Sequence, residues 1–96
     1  MIIELAFIEV KPGTGHDFEV AVNRAVDTVL KKSPGYLSFV LRKSTDIDNN
    51  YSFQIKWETL EHHTVGFRES DLFPQWRAII GEYFAKPPYV EHWSDI

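Results

Sequence analysis

Cysteine is absent from this chain of 96 residues. Its absence excludes disulfide bonds, a thiolate nucleophile and any metal site with sulfur ligands. No apolar run approaches the roughly 20 residues of a membrane-spanning helix. The first residues, 1–4, lack the basic leader and cleavage pattern of a signal peptide. We therefore expect a cytoplasmic protein that has no membrane partner.

Several sequence motifs that carry chemistry are also missing. There is no glycine-rich phosphate loop, no HExxH pair, no nucleophile elbow and no dinucleotide fingerprint. The formal net charge is −4, and no basic run is interleaved with aromatic residues, which argues against a nucleic-acid partner. Nothing in the chain demands a metal, a nucleotide or a flavin, so we expect no cofactor.

Aromatic residues, in contrast, are abundant at 15% of the chain. A chain of this length forms a single domain, residues 1–96, and its core is small because a short chain buries a limited share of its surface. Some of the aromatic side chains are therefore expected in a cavity or a subunit interface, where they are enriched. The alternative is that all of them belong to the core.

The hydrophobic pattern predicts four strands, over residues 2–10, 36–43, 51–57 and 89–93. The first is apolar on both faces, as in a central strand. Between the first two strands, an apolar stripe at helical spacing predicts a helix that Ser33-Pro34-Gly35 ends.

After the third strand, a second helix begins at Thr59, breaks near Phe67, restarts at Ser70-Asp71 and stops at Pro87-Pro88. The predicted order is β-α-β-β-α-β with a split second helix, the ferredoxin-like α+β arrangement of an antiparallel sheet with helices on one face. Apolar side chains on both faces of the strands imply that a partner sheet covers the other face. We therefore expect a homodimer.

His63 is the first candidate for a catalytic base. At α-helical spacing it shares a helix face with Leu60 and Phe67, and these should draw the imidazole toward the interior. An imidazole there acts as a base near neutral pH. The alternative is a partly buried histidine that is hydrogen-bonded to a backbone carbonyl. Its neighbour His62 lies about 100° around the helix and is expected to face solvent.

His92 is the second candidate base. It lies on the last strand, on the same face as Val90, and that strand should neighbour the first strand near Glu4 or Ala6. A carboxylate beside the imidazole would orient it. The alternative is an edge-strand histidine or a subunit contact.

Arg42 and Gln54 are polar residues on otherwise apolar strands. On the uncovered side of the sheet they would supply the polar groups of a mostly apolar pocket. If that side is exposed to solvent, they are ordinary polar residues on the face of a strand. Trp57 and Trp76 either line a ligand cavity or belong to the core.

The run Trp57-Glu58-Thr59-Leu60-Glu61-His62-His63, after a β-α-β half, resembles the antibiotic biosynthesis monooxygenase family of dimeric α+β barrels. Residues 65–70, 73–77 and 90–92 look like one branch of that family. The resemblance covers nearly the whole chain.

The resemblance implies a homodimer whose sheets pack face to face, with a pocket between the sheet and the helices of each subunit. Some members of the family oxidise polycyclic phenols to quinones with molecular oxygen and without a metal or flavin. Others degrade haem, isomerise small signalling molecules or have no known activity. The haem-degrading branch uses an asparagine on the first strand, which residues 2–10 lack.

Together these features lead to the hypothesis of a cofactor-independent monooxygenase that acts on an aromatic or quinol-type small molecule. In the predicted site, His63 or His92 removes the substrate's proton, Arg42 or Gln54 stabilises the resulting anion, and Trp57, Phe67 and Trp76 shape the apolar pocket. The alternative is a small-molecule-binding or structural dimer without turnover, and a further one is an isomerase or haem-binding member.

Overall fold

A four-stranded antiparallel sheet forms the central layer of the computed structural model, which describes all 96 residues. The strands are β1 (Ile2–Glu9), β2 (Tyr36–Lys43), β3 (Asn50–Trp57) and β4 (Tyr89–Trp93). Their order in the sheet is β2-β3-β1-β4. The apolar first strand is therefore central, as its sequence predicts.

The helices all lie on one face of this sheet. They are α1 (Gly15–Thr28), a π-helical segment (His62–Phe67) and α2 (Leu72–Ile80), with short 3₁₀ turns at Leu30–Lys32 and Gly81–Tyr83. The order is β-α-β-β-α-β with a split second helix, which confirms the predicted ferredoxin-like α+β fold. No helix has both the length and the apolar character needed to cross a membrane.

The core lies between the sheet and the helices. Side chains alternate along β3, so every second residue is buried, and α1 contributes one apolar stripe. Burying a large apolar side chain stabilises the fold by about 1.5–3 kcal/mol. The buried residues of these two elements are Tyr51, Phe53, Ile55, Trp57, Phe18, Ala21, Val22, Ala25 and Val26.

Strand β1 divides its side chains between the two faces of the sheet. Ala6 and Ile8 are buried beneath the helices, and so is Glu4, which is only 6% exposed. Glu4 lies opposite Ile55 of β3 on one side and His92 of β4 on the other. The predicted neighbourhood of His92 and Glu4 is thus confirmed, and a carboxylate lies on the helix-covered face of the central strand.

The opposite face of the sheet, which we call the open face, is not covered by any helix. Its apolar residues include Leu5, Phe7, Val40, Tyr89 and Trp93. Four of these five are largely exposed, and the rings of Phe7 and Tyr89 stack with centroids 6.2 Å apart. An apolar surface of this kind on a small domain is typical of an interaction site.

Two glycines with positive φ offer a matched test of local packing. Gly13 (φ 83°) and Gly35 (φ 85°) both adopt the left-handed conformation that disfavours a side chain. A Cβ at Gly13 would meet nothing, whereas one at Gly35 would overlap the His62 ring. Gly13→Ala should destabilise the fold by about 1–2 kcal/mol through backbone strain alone, and Gly35→Ala by more. Equal losses in urea unfolding would contradict this packing.

Candidate active site

A cavity of about 320 Å³ lies between the helix-covered face of the sheet and the second half of the chain. Its volume is within the range of small-molecule pockets. Ten of its 15 lining residues are hydrophobic. The charged and titratable ones are Glu4, His63, Arg68 and Arg77. The cavity is therefore an apolar chamber with a few polar groups in its wall.

The π-helical segment determines which side chains enter this cavity. The backbone N–H of Arg68 donates to the carbonyl of His63, five residues earlier, over 3.1 Å. This wider turn changes the angular spacing of the side chains from that of an α-helix. His63 and Phe67 face inward and are each 3% exposed, but Leu60 is 38% exposed. The predicted shared face therefore holds for His63 and Phe67 and is wrong for Leu60.

Four side chains form a continuous polar chain beside the cavity. The indole N–H of Trp57 donates to Glu4 Oε1 over 3.0 Å. His63 Nε2 lies 3.2 Å from the same oxygen, and His63 Nδ1 lies 2.8 Å from His92 Nε2. The rings of Trp57 and His63 also stack, with centroids 5.4 Å apart. The imidazole of His63 is thus held at both nitrogens and on one face.

Burial governs the charges of this chain. Desolvation raises the pKa of Glu4 to about 7, although the Trp57 hydrogen bond and the Arg68 guanidinium oppose the rise. Desolvation, with the positive charges of Arg68 and His92, lowers the pKa of His63 to about 3. Burial and Arg68 also lower the pKa of His92. Both imidazoles are therefore neutral near pH 7, and the group that changes charge there is Glu4.

The structure brings together three of the predicted site residues in the cavity wall and places two others next to it. His63, Phe67 and Trp76 line the cavity. His92 does not line it but contacts His63 from the surface side, where it is itself exposed. Trp57 is fully buried and does not line the cavity; it contacts the site through Glu4.

Arg42 and Gln54 lie outside the cavity, on the other side of the sheet. Both are on the open face, where Arg42 Nη1 donates to Gln54 Oε1 over 3.0 Å, and neither lines the cavity. The sheet separates them from His63 because successive side chains of a strand point to opposite faces. The expectation that they stabilise an anion in the same pocket as His63 therefore does not fit this geometry.

Sequence reasoning missed three charged residues of the cavity wall. Glu4 had a signal: it is the one charged residue among the helix-facing positions of the apolar central strand, which continue with Ala6 and Ile8. No sequence signal marked Arg68 or Arg77, since both are exposed and resemble ordinary surface residues. No group of three or more His, Cys, Asp or Glu side chains is arranged to hold a metal ion.

Comparison with known proteins gives consistent matches over the whole chain. The sequence model described as antibiotic biosynthesis monooxygenase matches residues 1–79. The chain is 33% identical over 96 residues to the uncharacterized protein YczJ of Bacillus subtilis (strain 168), and the match covers 100% of both chains.

Solved structures share the fold. A proposed antibiotic biosynthesis monooxygenase from Bordetella bronchiseptica superimposes with a TM-score of 0.93 and 37% identity, covering 99% of this chain and 96% of that one. The monooxygenase ActVA-Orf6 of Streptomyces coelicolor, solved in complex with nanaomycin D, has a TM-score of 0.82 and 19% identity, covering 99% of this chain and 87% of that one. At that identity the second likeness is one of fold.

The buried carboxylate and imidazole predict opposite effects of pH on stability. The pKa of Glu4 is raised from 4.5 to about 7 in the folded state, so its contribution is complete below pH 4.5 and is lost as the pH rises through 7. The pKa of His63 is lowered from 6.5 to about 3, so its contribution is complete above pH 6.5 and is lost as the pH falls through 3.

Glu4→Gln removes the first of these effects. The free energy of unfolding of the variant minus that of the natural chain should rise by up to about 3 kcal/mol from pH 5 to pH 8. The reason is that the natural chain must bury an ionised carboxylate at the higher pH. Urea unfolding at the two pH values measures the change. Glu58→Gln, at an exposed carboxylate, is the control. A Glu4→Gln difference that does not vary with pH would refute this account.

Proposed function

The chain belongs to the antibiotic biosynthesis monooxygenase family, and from that premise we propose that it oxidises an aromatic, quinol-type small molecule with molecular oxygen and without a resident cofactor. The observation that carries the proposal is a proton-accepting group, Glu4–His63–His92, of which Glu4 and His63 line an apolar cavity. Such oxidation begins with the loss of a proton from the substrate, and this group has a member whose pKa is near 7.

The apolar wall suits an aromatic substrate. Phe67 and Trp76 contact each other edge to face, with centroids 6.2 Å apart, and Phe73 packs against Phe67 at 5.6 Å. Flat rings of a substrate pack well against such edges and faces. The relative from Streptomyces coelicolor holds nanaomycin D in its structure, which supports a small-molecule ligand for this chain as well.

Arg68 and Arg77 take the anion-stabilising role in this proposal. Both line the cavity, and neither forms a salt bridge with a carboxylate of the chain. Guanidinium groups at this position attract the phenolate or enolate that forms when the substrate loses its proton. The same positive charge disfavours protonated imidazoles, as the lowered pKa of His63 records.

The proposed reaction balances with dioxygen as the only co-substrate. Loss of a proton from an activated CH₂ leaves a carbanion, which transfers its electron pair to dioxygen and forms a C–O bond. Protonation of the resulting peroxide anion, loss of the second C–H proton and cleavage of the O–O bond yield the carbonyl and water. Carbon is oxidised, dioxygen is reduced, and one oxygen atom goes to each product.

Oxygen uptake with anthrones and hydroquinones tests this function. The natural chain should consume dioxygen, with about one molecule per carbonyl formed from anthrone by the balance above. His63→Ala should lower kcat/KM, by up to the roughly 10²–10⁴-fold that acid–base catalysis contributes, because it disrupts the proton-accepting group. His16→Ala, at an exposed position on α1, should have no effect.

Two results would count against the proposal. Turnover that is indifferent to both His63→Ala and His92→Ala would remove the polar chain from the reaction. No uptake above the rate in buffer for either substrate class would favour a binding or structural dimer.

We also propose that two copies of the chain associate through the open face. The exposed apolar residues of β1, β2 and β4 lie together on this face, and Phe7, Val40 and Trp93 are 44%, 37% and 56% exposed in the single chain. A second copy of the same face supplies an apolar cover, since a twofold interface pairs a surface with itself.

Val40→Lys tests the dimer. Light scattering should give the natural chain about twice its mass of 11.2 kDa at micromolar concentration, and the variant should shift to the single-chain mass because a charge is desolvated in the interface. Val20→Lys is the matched control, since Val20 is 57% exposed on α1, away from the open face. A natural chain of single-chain mass would contradict the dimer.

A further inference from the structure

Two side chains approach the same oxygen of Glu4. The Trp57 indole N–H and His63 Nε2 both contact Oε1, at 3.0 and 3.2 Å. No group of the chain hydrogen-bonds to Oε2. Ser33 Oγ is the one fully buried side-chain polar atom that lacks a partner, so Oε2 of Glu4 is not fully enclosed, and Glu4 lines the cavity. The carboxylate thus has one oxygen held by the protein and one free.

The proton positions along the chain follow from the indole. Trp57 can only donate, so Glu4 Oε1 accepts, and an ionised carboxylate requires His63 Nε2 to donate to it as well. A neutral imidazole that donates from Nε2 accepts at Nδ1. His92 Nε2 must then donate across the 2.8 Å contact to His63 Nδ1. Both nitrogens of His63 then face other side chains, and the oxygen of this group to which no side chain hydrogen-bonds is Glu4 Oε2.

We propose that Glu4 is the general base of this cavity, with Oε2 as the atom that takes the substrate's proton, and that His63 and His92 are positioning residues that hold its other oxygen. The inference rests on the proposed function for the identity of the reaction. The transfer forms an O–H bond at Oε2 and breaks an O–H or C–H bond of the substrate, whose electron pair stays on the substrate.

This arrangement needs no rearrangement when the proton arrives. Once Oε2 is protonated, Oε1 becomes a carbonyl oxygen and continues to accept from Trp57 and His63. The carboxyl group also becomes neutral, which its apolar surroundings favour. The raised pKa of Glu4 agrees with this role, since a base works best when its pKa is near the working pH.

His63 is poorly suited to take the proton itself. Its two nitrogens already contact Glu4 and His92, so a substrate would have to displace one of them. The product would be an imidazolium buried near the Arg68 guanidinium, and that neighbour lowers the pKa of His63. The charged and titratable groups around Glu4 are His63 from the π-helical segment, Arg68 directly after that segment, His92 from β4 and, at the cavity wall, Arg77 from α2.

The variant that separates these roles is Glu4→Gln. The amide oxygen of glutamine can still accept from Trp57 and His63, while its NH₂ group replaces the basic oxygen. Oxygen uptake should fall by 10²-fold or more in kcat/KM, with circular dichroism unchanged. His63→Gln should retain more activity than Glu4→Gln. In the pH–rate profile of His63→Gln, the rate should still fall at low pH as Glu4 is protonated, with a midpoint that differs from that of the natural chain. Any residual activity of Glu4→Gln should lack this fall.

A measurement without turnover keeps the inference separate from the proposed function. Carbon-13 NMR of the glutamate carboxyl carbons, with Glu4 assigned by its absence in Glu4→Gln, should show one carboxyl that titrates near pH 7 in the ligand-free protein. A titration midpoint near 4.5, or full turnover by Glu4→Gln, would overturn the assignment of Glu4. If the natural chain consumes no dioxygen but the carboxyl titrates near 7, the monooxygenase function fails and the assignment of Glu4 as the cavity's base stands.

Discussion

The site depends on one physical constraint: a carboxylate buried in the central strand. Removing an ion from water costs several kcal/mol even after the protein relaxes, and Glu4 is 6% exposed. The indole N–H of Trp57 offsets part of that cost through a hydrogen bond to Oε1, and His63 Nε2 lies 3.2 Å from the same oxygen. The part of the desolvation cost that is not offset raises the pKa of Glu4, so this carboxyl group exchanges its proton near neutral pH instead of carrying a permanent charge.

The buried carboxylate is surrounded by side chains with defined hydrogen-bonding roles and positions. Trp57 can only donate, so Glu4 Oε1 accepts its hydrogen bond, and the ionised state of Glu4 then determines which nitrogens of His63 and His92 carry a proton. The π-helical segment places His63 and Phe67 together on the inner side, whereas α-helical spacing would have included Leu60. His63 and Phe67, with ring centroids 6.5 Å apart, connect the polar chain to the aromatic wall.

The two faces of the sheet contribute to different sites, the cavity on one side and an apolar surface on the other. The helix-covered face of β1 contributes Glu4 to the cavity, and the open face contributes Leu5 and Phe7 to an apolar surface. Because side chains alternate along a strand, adjacent residues of β1 serve different purposes, and a one-residue shift of register would exchange them. The same alternation explains why Arg42 on β2 and Gln54 on β3 lie away from the cavity.

Much of this protein was determined by its sequence alone. The period-2 pattern of residues 51–57 and the apolar stripe of α1 predicted their elements correctly, because burial of one face leaves a direct record in residue order. Family resemblance and the inward position of His63 also followed from the run that begins at Trp57. What only the tertiary structure decided was the partnership of residues far apart in sequence. Glu4, His63 and His92 are separated by dozens of residues, and no periodicity encodes which nitrogen meets which oxygen. Distances of 2.8–3.2 Å between these groups arise when strands pair and a helix packs over them, and these contacts decide which atom is free to act as a base.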